Sequence, residues 1–307
     1  MDQRDVASGP PIPEELRRLM AEIGPKWGSN VGGHVKLMLD HFTEVLKDAP
    51  TDGVSITRDV VYGSHPRQSF DVFQPAGAAG KRPALIFVHG GAFVEGHRNR
   101  TLAIYSNVLM YFARHGIVGV NVGYRLADDT PYPGATQDIA AVVAWVKAHA
   151  TDLGIDEDRI FLMGHSAGCA HVATYAYDAR FRPDEGNLLR GLILVSGRVR
   201  ADVLAENPNA KKVEAYYQTT DAALLDDYSP VSHVDAGSVP TLVAWAEYEN
   251  PLIDVYSAEL VHRLAVAKRR SPPVVWLQGH NHTSIIGHFN TADERLGQAI
   301  RRFICEH

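Results

Sequence analysis

The stretch that decides the fold of this chain is Gly164-His165-Ser166-Ala167-Gly168, together with the segments on either side of it. Residues 158–163 include a short apolar run that predicts a buried strand, and residues 169–177 have the length and residue types of a helix. A G-x-S-x-G sequence between a strand and a helix is typical of the nucleophile elbow, a turn too sharp for side chains at its two glycines. Such a turn lifts one serine hydroxyl above the sheet edge, so the sequence predicts that Ser166 is a nucleophile.

A second glycine-rich turn lies upstream of the elbow. Residues 84–88 predict another buried strand, which runs into His89-Gly90-Gly91-Ala92-Phe93. A turn of this kind presents backbone N–H groups to the oxyanion that forms when a carbonyl carbon is attacked. We expect the N–H groups of Gly91 and Ala92 to form this oxyanion hole, together with that of Ala167, which follows the nucleophile.

A serine hydroxyl is a poor nucleophile at neutral pH, so a base and an acid are expected further along the chain. In enzymes with a nucleophile elbow the chain order is serine, acid, histidine, each at the end of a later strand. Residues 240–246 predict one such strand, and Glu247-Tyr248-Glu249-Asn250 follows it. Residues 272–277 predict the next strand, and the segment after it contains two histidines, His280 and His282.

Together these motifs resemble an α/β-hydrolase of the esterase group that includes hormone-sensitive-lipase-like carboxylesterases and kynurenine-formamidase-like hydrolases. The resemblance covers roughly residues 55 to 305. Besides the two turns it rests on five further segments, which are Gly123-Tyr124-Arg125-Leu126-Ala127, Tyr132-Pro133-Gly134 with Asp138, Gly154-Ile155-Asp156, Tyr228-Ser229-Pro230-Val231 and Asn281-His282. It implies the α/β-hydrolase fold, with a mostly parallel central sheet, helices on both faces and a small helical cap. It also implies ester or amide hydrolysis through an acyl-enzyme, and we expect no cofactor.

The acid departs from the family pattern. Family members often have G-E-x-D after the strand, whereas this chain has Ala246-Glu247-Tyr248-Glu249. Glu249 stands where the aspartate would stand, and we expect it to orient the imidazole with one more methylene of reach. Two alternatives stay open: Asp254 lies several residues later, and Glu247 is expected to lie still on the strand. The oxyanion motif departs too, because Ala92 replaces its common third glycine.

The resemblance favours His282 as the base, because Asn281-His282 matches the family's histidine segment best. His280 and His288 are the alternatives. The spacing of these three histidines also suggests a metal cluster, but no carboxylate or cysteine is adjacent to them in the sequence. We therefore expect no metal and predict a catalytic triad of Ser166, Glu249 and His282.

The order of the motifs predicts one catalytic domain with additions. Residues 54–307 are expected to form the α/β-hydrolase domain, and residues 1–53 an N-terminal helical segment that contributes to the cap. Residues 198–239 interrupt the alternation of strands and helices and are the expected cap insertion. Three tyrosines there, Tyr216, Tyr217 and Tyr228, either line a substrate pocket or pack the cap onto the core.

Composition restricts the partners and the location. The 307 residues carry a formal net charge of −6, which argues against nucleic acid or an anionic membrane surface as a partner. Two cysteines give no disulfide framework, the first residues lack an apolar signal core, and no apolar run approaches a membrane span, so we expect a cytoplasmic protein. A homodimer is the default expectation for such a protein.

Three functions are compatible with these features. The leading hypothesis is a carboxylesterase that acts on esters of small to medium size. The second is an arylformamidase, an amide hydrolase that cleaves N-formyl aromatic amines. The third is a non-catalytic binding protein on a hydrolase scaffold, which we disfavour because such proteins generally lose a triad member and this chain keeps a candidate for each.

Overall fold

The computed structural model describes residues 6–77, 80–183 and 188–307, and a single mixed sheet lies at its centre. Over these residues the strands are β1 (Val54–Val61), β2 (Ser69–Pro75), β3 (Arg82–Val88), β4 (Val118–Val122), β5 (Ile155–His165), β6 (Gly191–Val195), β7 (Thr241–Tyr248) and β8 (Val274–Asn281). Their order across the sheet is β1-β2-β4-β3-β5-β6-β7-β8. The pairs β1–β2 and β2–β4 are antiparallel, and every later pair is parallel. The carboxyl ends of β3, β5, β6, β7 and β8 therefore meet at one edge.

Helices cover both faces of this sheet. They are α1 (Glu14–Ile23), α2 (Val31–Val45), α3 (Ser106–Arg114), α4 (Gly134–Ala148), α5 (Ala167–Tyr177), α6 (Ala210–Tyr217), α7 (Ala222–Tyr228), α8 (Ile253–Lys268), α9 (Ser284–Gly287) and α10 (Arg295–Glu306). Buried residues of α4, α5 and α8 pack on one face, and those of α1, α2, α3, α9 and α10 pack on the other. The expected α/β-hydrolase architecture is confirmed. No helix in the described ranges is long and apolar enough to cross a membrane.

The central strands show why a parallel sheet of this kind is buried on both sides. Along β5, Ile160 and Leu162 belong to one apolar cluster, and Phe161 and Met163 belong to the other. Successive side chains of a strand point to opposite faces, so a strand covered twice must be apolar at every position. The strand predicted at 158–163 lies within β5, and the helix predicted at 169–177 begins two residues earlier, at Ala167.

The segment between β6 and β7 carries the two short helices α6 and α7. Its tyrosines pack against the rest of the domain: the rings of Tyr216 and Phe93 stack with centroids 4.8 Å apart, and those of Tyr228 and Tyr132 lie 4.4 Å apart. Tyr217 also contacts Tyr132 at 5.2 Å. Of the two roles considered for these tyrosines, the structure shows the packing role.

A buried carboxylate fixes the loop that follows β4. Asp138, on α4, is 1% exposed and accepts hydrogen bonds from the backbone N–H of Arg125 (2.9 Å), from its guanidinium (2.7 Å) and from the Gln68 amide (2.8 Å). The same loop places Tyr124, whose hydroxyl donates to the carbonyl of His89 over 2.8 Å. Asp138 therefore supports the glycine-rich turn after β3 indirectly, through the loop that it anchors.

Six histidines are buried in the described part of the chain, and four of them, at positions 89, 165, 171 and 288, have a lowered pKa. Burial lowers the pKa of His89, His171 and His288 to about 3 and holds the pKa of His165 well below its ordinary value. All four imidazoles are therefore neutral in the folded chain across the mildly acidic range. In the unfolded chain they titrate near their ordinary pKa of about 6.5.

We predict that the free energy of unfolding falls as the pH drops from about 6.5 to about 5, because these four histidines bind protons in the unfolded chain but not in the folded chain. Each of these four histidines contributes a loss of up to about 1.4 kcal/mol per pH unit once its unfolded form is protonated. Above about pH 7.5 the effect vanishes, since both states hold neutral imidazoles. Urea unfolding followed by circular dichroism at several pH values measures it.

The control for this prediction is His171→Gln, which removes one such imidazole and is expected to reduce the pH slope by about one proton. Buried aspartates with a lowered pKa, such as Asp293, do not interfere, because their stabilising contribution is lost only as the pH falls below about 4. An unfolding free energy that stays flat between about pH 6.5 and 5 would contradict the prediction.

Candidate active site

The turn between β5 and α5 holds Ser166 in a backbone conformation that few residues adopt. Its φ is 55° and its ψ is −122°. A side chain at Gly168 would place its Cβ 2.4 Å from the carbonyl oxygen of Val88, and one at Gly164 would come within 2.8 Å of the Cys169 backbone. Both glycines are therefore needed for the close approach of α5 to β3 and β5, which presents the serine at the carboxyl edge of the sheet.

The three residues predicted from separate parts of the sequence are joined by hydrogen bonds. Ser166 Oγ lies 2.9 Å from His282 Nε2, and His282 Nδ1 lies 2.5 Å from Glu249 Oε2. The side chains of His282 and Glu249 are 6% and 3% exposed, so water does not compete for this contact. With a carboxylate beside Nδ1, that nitrogen carries the proton and Nε2 is left to accept the proton of the serine hydroxyl.

The second oxygen of the Glu249 carboxylate is also held. Glu249 Oε1 accepts hydrogen bonds from the backbone N–H of Ala246, over 2.8 Å, and from the hydroxyl of Ser196. Ser196 lies directly after β6 and has a positive φ of 50°. Sequence reasoning missed this serine, because nothing in its local sequence indicates that β6 ends beside the loop after β7.

The alternative acids lie elsewhere. Asp254 is exposed in the first turn of α8, and Glu247 accepts a hydrogen bond from the backbone N–H of Gly279 over 2.7 Å. Among the described residues, neither of these two carboxylates has a hydrogen bond or ion pair with His282.

The alternative histidines are likewise committed to other partners. His280 contacts Asp293 (3.2 Å) and the hydroxyl of Ser284 (3.1 Å), and His288 contacts the carbonyl of Ser284 (3.0 Å). Within the described ranges, no group of three or more histidine, cysteine, aspartate or glutamate side chains could hold a metal ion.

The loop that carries His282 is fixed on both sides. Its backbone N–H donates to the carbonyl of Tyr248 over 3.0 Å, which ties it to the end of β7. Its carbonyl accepts a hydrogen bond from Nε2 of His165, also over 3.0 Å. Because burial keeps His165 neutral, this residue donates one hydrogen bond and positions the loop, and its other nitrogen faces the hydroxyl of Tyr105 at 3.4 Å.

The candidate oxyanion hole is shaped by unusual backbone angles. Gly91 has a φ of 145°, and a Cβ there would lie 1.8 Å from the carbonyl oxygen of Glu95. Ala92 and Phe93 follow with φ values of 48° and 74°. Gly91 and Ala92 line the same cavity as Ser166, and Ala167 is the first residue of α5. The backbone around the serine thus comes from β3 on one side and α5 on the other.

The cavity beside Ser166 has a volume of about 560 Å³. Helix α2 of the N-terminal segment forms one wall, and the apolar side chains of the lining include Val31, Val35, Leu39, Ile104, Ile253 and Ile286. The charged side chains of the lining, other than the histidines, are Lys36, Glu95, Arg100, Arg198 and Lys212. The N-terminal segment is tied to the site by buried Trp27, whose indole donates to Asn250, next to Glu249, over 2.8 Å.

Comparison with known proteins agrees with this geometry. A family model described as BD-FAE matches residues 70–182, the part of the chain that carries both glycine-rich turns. Esterase LipC of Mycobacterium tuberculosis is 27% identical over 241 residues, which are 73% of this chain and 59% of that protein. A probable isoprenylcysteine alpha-carbonyl methylesterase, ICMEL1 of Arabidopsis thaliana, is 32% identical over 118 residues, 38% of this chain and 24% of that protein. The chain therefore covers less than two thirds of either relative's length.

A solved structure described as a bacterial heroin esterase superposes with a TM-score of 0.70 at 23% identity, over 97% of this chain and 94% of that one. At this level of identity the likeness concerns the fold. Fold, family model and relatives together support the resemblance seen in the sequence: the chain has the α/β-hydrolase fold and is similar to esterases.

Proposed function

We propose that this protein is a serine carboxylesterase that hydrolyses carboxylic esters of small to medium size through an acyl-enzyme. The observation that carries the proposal is the unbroken chain of hydrogen bonds from Glu249 through His282 to Ser166, beside a cavity of about 560 Å³. A strained serine, an oriented imidazole and a carboxylate with both oxygens occupied are the parts that acyl transfer requires. A non-catalytic binding protein on a hydrolase scaffold would have no need to keep these three side chains in contact.

The reaction proceeds in two halves. The Ser166 oxygen attacks the ester carbonyl as His282 Nε2 takes the hydroxyl proton, and Glu249 stabilises the imidazolium that forms. The negative charge that develops on the carbonyl oxygen is held by the N–H groups of Gly91, Ala92 and Ala167. When the tetrahedral intermediate collapses, the bond to the leaving alcohol breaks and the imidazolium supplies its proton. Water then attacks the acyl-enzyme by the same steps, which releases the acid and restores Ser166.

Esters are favoured over amides because the relatives compared above carry esterase names, and LipC matches most of this chain. The cavity volume falls in the range of about 300–1,000 Å³ that is common for small-molecule sites, which suits either class of substrate. The substrate comparison below tests the arylformamidase hypothesis against the esterase proposal.

The domain division belongs to this proposal as well. We infer that residues 1–53 contribute to the cap as expected, because α2 lines the cavity together with Pro208, Asn209 and Lys212 of the insertion at 198–239. The substrate would then lie between the N-terminal helices and the insertion, above the carboxyl edge of the sheet. A cytoplasmic location and a homodimer stay predictions from composition and from general expectation.

We predict that Ser166→Ala lowers kcat for a short p-nitrophenyl ester by about 10⁴-fold or more, because removing the nucleophile of such a triad removes the covalent route. Release of p-nitrophenolate measures the rate, and circular dichroism of the variant serves as the control for folding. Labelling of Ser166 by a fluorophosphonate probe, followed by peptide mass mapping, tests the same nucleophile independently. A correctly folded variant with full activity would overturn the mechanism.

We predict that Glu249→Gln lowers kcat by about 10³- to 10⁴-fold, because a neutral amide neither holds the reactive tautomer of His282 nor stabilises its charged form. Asp254→Asn is the matched control, since it also replaces one carboxylate by an amide, but at an exposed position that has no hydrogen bond or ion pair with His282 among the described residues. Its kcat is expected to stay close to that of the unaltered protein. The reverse ranking of the two variants would reassign the acid.

We predict that p-nitrophenyl acetate and p-nitrophenyl octanoate are hydrolysed faster than N-formylkynurenine, with Ser166→Ala as the background. The ratio between the two esters measures how long an acyl chain the cavity accepts. A higher kcat/KM for the formamide than for either ester would replace the esterase assignment by the arylformamidase one.

A further inference from the structure

One arginine in the wall of the cavity lacks the partner that a buried charge normally has. Arg198 is 3% exposed and lines the cavity that contains Ser166. Its backbone N–H donates to the carbonyl of Ser166 over 3.1 Å, so the residue is fixed directly beside the nucleophile. Within the described residues its Nη1 has no hydrogen-bond acceptor, and no carboxylate forms an ion pair with its guanidinium.

The surroundings of Arg198 stabilise the side chain without neutralising it. The guanidinium lies over the ring of Tyr256, 5.3 Å from its centroid, which is a cation–π contact. The Tyr256 hydroxyl donates to the carboxylate of Asp202, and that carboxylate has no ion pair with Arg198 in the described part of the chain. The Arg198 side chain also has a hydrogen bond with the Tyr256 side chain, so Tyr256 holds the guanidinium in place while Nη1 is left without an acceptor among the described residues.

Other buried or half-buried arginines of this protein show the contrast. Arg98, which is 5% exposed, forms ion pairs with Asp59 and Asp71. Arg200, two residues beyond Arg198, forms ion pairs with Asp226 and Glu259. Charged side chains are rarely buried without a partner, because desolvation disfavours an isolated charge. Arg98 and Arg198 are the two fully buried arginines among the described residues, and Arg198 is the one of these two without an ion pair.

Most of the remaining charged side chains of the cavity wall are basic. Lys36, Arg100 and Lys212 line it, and Glu95 supplies the acidic group. Glu95 is already paired with Lys212 over 2.8 Å, and Lys36 pairs with Asp40 at the exposed surface. The wall therefore has an excess of positive charge, although the whole chain has a formal net charge of −6. Such a local field favours an anionic ligand.

We propose that the ester substrate carries a second, ionised carboxylate, and that the guanidinium of Arg198 binds this group during the reaction. The proposal rests on the esterase function proposed above and names its substrate class. Arginine pairs with carboxylates through two parallel N–H···O bonds, which fix the orientation of the ligand as well as its position. Apolar side chains such as Val35, Leu39 and Ile286 would contact the carbon chain between the ester and the carboxylate.

The test compares esters that differ only in this charge. For the acyl side, mono-p-nitrophenyl adipate is compared with the ester in which a carboxamide replaces the free carboxylate. For the alcohol side, 4-acetoxybenzoate is compared with 4-acetoxybenzamide. We expect kcat/KM of the unaltered protein to be about 10- to 100-fold higher for the anionic member of at least one pair, mainly through a lower KM. The pair that responds identifies which half of the substrate Arg198 binds.

Variants assign the preference to a residue. Arg198→Met is expected to lower the anionic-to-neutral ratio of kcat/KM by about 10- to 100-fold, and Arg198→Lys to preserve part of it, because a point charge replaces the planar group. Arg200→Met is the matched control, since it removes a nearby arginine that already has two carboxylate partners. Its ratio is expected to match that of the unaltered protein. Using the ratio cancels losses of active protein that affect both esters equally.

The outcomes separate the two proposals. Two results would overturn the carboxylate assignment and leave the esterase function intact. In the first, neutral esters are hydrolysed as well as the matching anionic esters. In the second, a preference for the anionic esters remains in Arg198→Met. Absence of hydrolysis of every ester, charged or neutral, overturns both. If Arg198→Met does not fold, competitive inhibition of the unaltered protein by adipate against adipamide gives the answer, and equal inhibition constants overturn the assignment.

Discussion

The structure depends on the close approach of α5 to the ends of β3 and β5. Gly168 lies so near the Val88 carbonyl that a Cβ would overlap it, and Gly164 lies equally close to the backbone of Cys169. This contact forces the chain through the left-handed conformation at Ser166 and lifts the hydroxyl clear of the sheet. The strain is sustained because β5 is central, paired with β3 on one side and β6 on the other, and buried on both faces.

Once the serine is placed, parallel pairing brings the other groups to it. The strands β3, β5, β6, β7 and β8 all end at the same edge of the sheet, so five loops converge there. Each contributes one element of the candidate site: the glycine-rich turn, the serine, Ser196, Glu249 and His282. The longer glutamate fits because both of its oxygens are fixed, Oε1 by Ala246 and Ser196 and Oε2 by His282. Because both oxygens of this carboxylate are held, Glu249 keeps the imidazole of His282 in a fixed orientation.

The cavity above this edge combines parts that are distant in the sequence. The N-terminal helix α2 supplies apolar walls, and the insertion supplies Arg198 and Lys212. Trp27 ties the N-terminal segment to the loop after β7 through its hydrogen bond to Asn250, the neighbour of the candidate acid. The specificity of the site thus depends on segments outside the central sheet, as is common where loops on a rigid scaffold shape a pocket. The excess of positive charge in the cavity wall arises because these segments meet there, and it contrasts with the formal net charge of −6 of the whole chain.

Much of this could be predicted from the sequence, because the required residues occupy turns whose geometry is local. Gly164, Ser166 and Gly168 indicate the elbow once they are read with the strand before them and the helix after them, His89-Gly90-Gly91 indicates the candidate oxyanion turn, and the runs of apolar residues indicate strands covered on both faces. The choice of Glu249 over Asp254 and Glu247, and of His282 over its neighbours, came from a resemblance, and the tertiary structure shows which side chains meet. A contribution of the N-terminal helices to the cap is already predicted from the sequence, whereas the contacts of Ser196 and Arg198 were decided by the tertiary structure alone. Their contacts join residues tens to hundreds of positions apart, and a burial or an unpaired charge created by such packing leaves no signal in the local sequence.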